Sequence, residues 1–175
     1  MIFHSGILWN GAESSKYNRP VNFEALILID GLKFSMGHAS WPWVDECIAL
    51  YGKFLNGITT GRSAEMFFDI TPGTPPIYRE ELLKKLFTVG YDVPNNIIFG
   101  TDNRADTYNS DWCIKWQNID NDIYDKLGVD TKIRDKIYRG NFMRFMGSEE
   151  KSFTHLSPIP DKEIAWSLDY ERKYR

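Results

Sequence analysis

Residues 32–57 read LKFSMGHASWPWVDECIALYGKFLNG, and the pattern in this stretch is the key to the chain. Lys33 to Met36 is a brief strand candidate. Gly37-His38 breaks it, and a helix starts near Trp41-Pro42 with Asp45 and Glu46 at its positive end. Val44, Ile48, Tyr51 and Leu55 keep helical spacing, and Gly57 is placed to stop the helix. A strand, a histidine at its carboxyl end and a helix make one β/α unit.

The unit recurs on both sides. Toward the amino end, Met1 to Ser5 is a short apolar run containing His4, followed by a loop from Gly6 to Asn18. Pro20 suits a first helical position, Phe23, Leu26, Ile27 and Ile29 keep one side apolar, and Gly31 suits the residue just past the end. Toward the carboxyl end, Ala64 to Ile70 reads as a buried strand, Thr71 to Pro76 as a loop and Ile77 to Thr88 as a helix closed by Gly90. Asn96 to Gly100 supplies a fourth strand, and Thr101 to Ser110 is a polar loop holding Asp102. Trp112, Trp116, Ile119, Ile123 and Leu127 mark the next helix. Asp130 can cap another, and Phe142 and Phe145 continue to Gly147. Residues 1–147 thus form one domain, and residues 148–175, with Pro158 and Pro160, an irregular extension.

Strands that alternate with helices imply an α/β fold with a parallel sheet and right-handed crossovers. Two architectures satisfy this order: a small doubly wound sheet, or part of a (β/α)₈ barrel, whose complete form takes about 250 residues.

Composition narrows the function. The 175 residues are 42% hydrophobic and 26% charged, enough apolar content for a buried core. A net charge of -3 and a pI near 5.6 give no basic field for phosphates, so nucleic acid and anionic membrane surfaces are not expected partners, whereas small molecules are. Cys47 and Cys113 lack paired CxxC spacing and read as packed thiols. Nothing at Met1-Ile2-Phe3-His4 reads as a leader and no run approaches the ~20 apolar residues of a membrane span, so a soluble, cytoplasmic protein is expected.

His4, His38 and Asp102 each fall at or just beyond the carboxyl end of a different strand, where α/β sheets build their sites. Imidazole and carboxylate are also the ligands zinc prefers. Taken singly, each residue reads more readily as a loop hydrogen-bonder or a cap than as a ligand. His155 reads as a tail residue, while Asp45, Glu46, Glu80 and Glu81 sit in first helical turns, where dipole and solvation account for them. Trp112 and Trp116 share a helical face with Ile119 and Ile123 and read as core. Trp41 and Trp43 either wall the mouth or pack. No GxGxxG or P-loop pattern supports nucleotide binding.

Together these strings resemble a known family. Met36-Gly37-His38-Ala39-Ser40-Trp41-Pro42-Trp43-Val44-Asp45-Glu46 is similar to the sixth-strand segment of amidohydrolase-related (amidohydrolase 2 type) proteins. Ile97-Ile98-Phe99-Gly100-Thr101-Asp102 resembles their eighth strand, Ile2-Phe3-His4-Ser5-Gly6 their fifth, and Ile137 to Gly147 their closing helix with its Gly140-Asn141-apolar pattern. The resemblance covers residues 1–147 and implies the second half of a (β/α)₈ TIM barrel. It implies a metal-dependent hydrolase, or a non-oxidative decarboxylase, in which a divalent ion, zinc by ligand type, is held by His4 and Asp102. Asp102 or His38 then serves as the acid/base beside a metal-bound water. The family's first-strand His-x-His pair has no counterpart in this sequence.

A bare four-stranded half-barrel would carry two unpaired edges and an uncovered inner face. A homo-oligomer covering them is therefore expected, in the limiting case a twofold pseudo-barrel.

Overall fold

The computed structural model describes residues 1–148, so the irregular extension, with His155, Pro158 and Pro160, lies outside the described residues. Four strands, β1 (Ile2–Phe3), β2 (Lys33–Met36), β3 (Glu65–Asp69) and β4 (Ile97–Ile98), form one sheet in the order β1-β2-β3-β4. Every pairing is parallel, with Ile2 opposite Ser35, Ser35 opposite Phe67 and Phe68 opposite Ile97. A doubly wound sheet reverses its strand order at a switch point. This sheet does not; each connection steps one strand in the same direction. Right-handed crossovers then lay all the connecting helices on one face. The fold is α/β, and its sequential order is compatible with half of a barrel.

Alternation along the strands divides the faces. Phe34, Met36, Met66 and Phe68 point into the core with Ile48, Tyr51 and Phe54 of α1 (Val44–Thr59), Leu82, Leu83 and Leu86 of α2 (Pro76–Thr88), and Ile123 and Tyr124 of α3 (Ser110–Leu127). Ser35, Phe67, Asp69 and Ile98 belong to the opposite face by the same alternation, the face that is concave in a half-barrel.

Several expected boundaries shift for identifiable reasons. Pro20–Leu28 winds as a 3₁₀ helix rather than an α-helix; Phe23, Leu26 and Ile27 pack against the core, while Ile29, just past its end, is extended and exposed. Gly57 lies inside α1 and does not end it; a Cβ there would meet Ile27 Cδ1 at 2.9 Å, so the glycine admits the 3₁₀ segment. Asp130 caps as expected, its Oδ1 accepting from Ile133 N–H at 2.8 Å, and Asn109 Oδ1, which the sequence reading did not single out, accepts from Trp112 N–H at 3.0 Å. After α4 (Thr131–Asp135), a π-helical turn, Lys136–Gly140, leads into α5 (Asn141–Phe145).

This last stretch changes the expected edges. Phe99 N–H donates to Ile137 O at 3.0 Å, and Asn141 Nδ2 donates to Ile97 O at 2.7 Å, so the outer edge of β4 is already engaged. The Arg144 guanidinium lies 4.6 Å over the Phe67 ring and pairs with Glu65, while the Phe145 ring meets Phe67 edge-on at 5.2 Å. The chain thus covers part of its own concave face. A twofold pseudo-barrel that paired β4 with a partner's β1 would have to break these contacts. Among the described residues the open edge is β1, where Met1 and Ile2 are exposed. No described helix is long and apolar enough to cross a membrane.

Candidate active site

The carboxyl ends of the strands meet at one mouth. His4 follows β1, and its Nε2–H donates to Ile7 O at 3.2 Å. His38 follows β2; the two imidazoles meet edge to face with centroids 4.9 Å apart. His38 lies in a short turn, Gly37–Ser40, where His38, Ala39 and Ser40 all take left-handed backbone, with φ of 57°, 45° and 60°. Each such non-glycine residue costs roughly 1–2 kcal/mol. The buried Ser5–Ser40 hydroxyl contact at 2.6 Å and Ser5 Oγ–H to Gly37 O at 3.3 Å hold the turn to β1. Asp102, after β4, is left-handed too, with φ 54°. Two of the three expected site residues therefore sit on strained backbone, which concentrates at functional positions.

Between them stands a carboxylate that the sequence pattern did not single out. Asp69 is the last residue of β3 and only 8% exposed; its Oδ1 accepts from Thr71 N–H at 2.8 Å. Burial raises its pKa above the usual carboxylate range, the Asp102 charge adds to this, and Thr71 and His38 oppose it. The strand was expected to run on to Ile70, which hid Asp69 inside an element instead of on its rim. Its place, matching those of His38 and Asp102, was the available signal.

The sign of that shift makes a prediction. A carboxyl whose pKa is higher in the folded state lends stability below its unfolded value, about 3.9, and loses it as pH rises through the folded value. Asp69→Asn keeps an oxygen for Thr71 N–H and removes the buried charge. In chelator-treated protein at pH 7.5 it is expected to raise Tm. The gain should vanish toward pH 4, and an unchanged or lower Tm at pH 7.5 would contradict it.

The remaining candidates divide. Cys47 is fully buried and burial pushes its thiol up to about 12, so it is packing and no nucleophile; Cys113 is half-buried. Trp116 is core as expected, but Trp112 is not: it is 37% exposed and its Nε1–H braces the mouth loop through Thr101 O at 3.0 Å. Trp43 stacks under Arg19, and Trp41 faces Tyr78 at 5.9 Å. Asp45, Glu46, Glu80 and Glu81 form ion pairs with Lys85, Arg19, Lys126 and Lys85, as solvated helix residues do. A groove of about 380 Å³ is lined by Trp41, Tyr78, Leu82 and Lys85 and by none of His4, His38, Asp69 or Asp102.

Imidazole and carboxylate at one mouth suit a divalent ion, but among the described residues no three His, Cys, Asp or Glu side chains are grouped to hold one. His4 and Asp102 follow the first and fourth strands of the sheet. These residues do not make a metal site by themselves. The chain matches no family model, no curated protein and no solved structure with which it was compared.

Proposed function

We propose that the chain is one half of a (β/α)₈ hydrolase site of the amidohydrolase-related type, acting on a small molecule and completed by ligands from outside the described residues. The observation that supports it is the gathering of His4, His38, Asp69 and Asp102 at one strand-end mouth, with left-handed backbone at His38 and Asp102. A zinc-type ion, once bound, supplies an activated water and a polarised carbonyl. His4 and Asp102 are the ligands this chain offers, one short of the three a catalytic zinc site takes from protein. A second copy docking along the open β1 edge is the proposed source of the rest. The chain's own chemistry is proton handling: His38 takes and returns a proton at the mouth.

The test combines elemental analysis with size-exclusion chromatography and light scattering. The expected result is a dimer holding a divalent ion, with the ion lost in His4→Ala and Asp102→Ala. His38→Ala keeps the ion and lowers hydrolysis of small amides by roughly 10²–10⁴-fold. Ion content indistinguishable between wild type and the two ligand variants defeats the reading. The aromatic groove beside the mouth favours a second reading, a half-barrel that binds a small molecule without turning it over. In that case the three variants bind alike.

A further inference from the structure

The imidazole of His38 sits in a socket built by residues that no motif announced. Its Nδ1 is 3.2 Å from Thr71 O and 3.1 Å from Thr71 Oγ1. A carbonyl oxygen can only accept, so a bond to Thr71 O requires the proton to be on Nδ1. Nε2 then carries the lone pair, and it has no hydrogen-bond partner among the described residues.

Thr71 is itself fixed. Its N–H is held by Asp69 Oδ1 at 2.8 Å, which ties the second residue beyond β3 back to the strand end. Two glycines close the socket. A Cβ on Gly100 would stand 2.3 Å from Thr71 Cγ2 and 3.3 Å from Asp69 Oδ1, and a Cβ on Gly73 would stand 2.4 Å from His38 Nδ1. With the His4 ring at 4.9 Å on another side, the imidazole has little room to flip.

We infer that Asp69 and Thr71 are positioning residues that hold His38 as its Nδ1–H tautomer, leaving Nε2 as the proton acceptor at the mouth. Neutral imidazole in water favours the opposite tautomer, so the protein must supply the preference. The catalytic use of that nitrogen rests on the hydrolase reading; the tautomer itself does not.

The test is long-range ¹H–¹⁵N correlation spectroscopy of the full chain labelled at its three histidines, chelator-treated and above the imidazole titration. Signals are assigned with His4→Gln and His155→Gln. His38 is expected to show a protonated Nδ1 and an unprotonated Nε2. Asp69→Asn, which keeps the acceptor, is expected to retain that pattern, whereas Asp69→Ala is expected to average it. Gly73→Ala, which crowds Nδ1 without touching Asp69, is expected to average it as well. A wild-type His38 protonated at Nε2 overturns the inference without any variant being needed. So does an unchanged pattern in Asp69→Ala and Gly73→Ala. Absence of bound metal or of hydrolysis defeats the functional proposal and leaves these spectra as they are, so the two failures are distinguishable.

Discussion

Replacing Asp120 by alanine is expected to cost about 3–5 kcal/mol of stability, the largest effect of any single charge removal among the described residues. Asp120 and Arg79 are almost wholly buried, with side chains 0% and 1% exposed. Arg79 Nε donates to Asp120 Oδ1 at 2.7 Å and Nη2 to Oδ2 at 2.8 Å, a bidentate pair joining α2 to α3. Nη2 also donates to Ile70 O at 2.8 Å, and the guanidinium lies 5.3 Å from the Trp116 ring. Without Asp120 the guanidinium is an uncompensated cation inside the helix layer. Arg79 Nη1 itself and the neighbouring Trp116 Nε1, both donors, already lack a protein partner, so the indole N–H offers the cation no relief. Domains of this size hold only about 5–15 kcal/mol in total, so Tm should fall by roughly 10 °C. The double replacement Arg79→Met with Asp120→Leu removes both charges and is expected to recover most of the loss. Thermal unfolding of the three variants decides the matter: if Asp120→Ala and the double variant melt together, the cost is lost packing and not a stranded charge.

The same pair shows what a sequence can and cannot disclose. Arg79 and Asp120 lie forty-one positions apart on helices whose existence was legible, yet nothing local marks them as partners. Strand and helix order was readable because apolar runs alternate with helical spacing. Lys33–Met36 falls where expected because Gly37 breaks it at once. Pro20–Leu28 reads as an α-helix from Phe23, Leu26 and Ile27, whose i, i+3, i+4 spacing marks a helical face without distinguishing α from 3₁₀ winding over nine residues. His38 and Asp102 could be named from their strand-end positions, whereas Asp69 could not while its strand was drawn one residue too long. The socket around His38 was out of reach, since Thr71, Gly73 and Gly100 acquire meaning only when three loops come together.

Phe67→Ala is the second large expectation, a loss of about 3–5 kcal/mol. In a bare half-barrel Phe67 would be solvent-facing, because it lies on the concave side of β3, and truncating it would cost little. Instead it is 0% exposed, flanked by Phe145 and covered by the Arg144 guanidinium. Arg144 is anchored in turn: it pairs with Glu65, its Nη2 donates to Asn95 O at 2.6 Å, and its carbonyl accepts from Lys33 Nζ at 2.6 Å. Removing the ring leaves a cavity under a cation and loosens α5 as a unit, so amide hydrogen exchange at residues 141–145 should speed up along with the fall in Tm. Truncating Ile2, 59% exposed on the open β1 edge, should change neither. The contrast decides which side of the sheet a partner can approach. If Phe67→Ala proves nearly neutral and exchange in α5 is unaffected, the chain does not cover its own concave face, and closure by a second half across β4 becomes available. If the loss is large, α5 occupies that position, and whatever completes the mouth must enter from β1, beside His4.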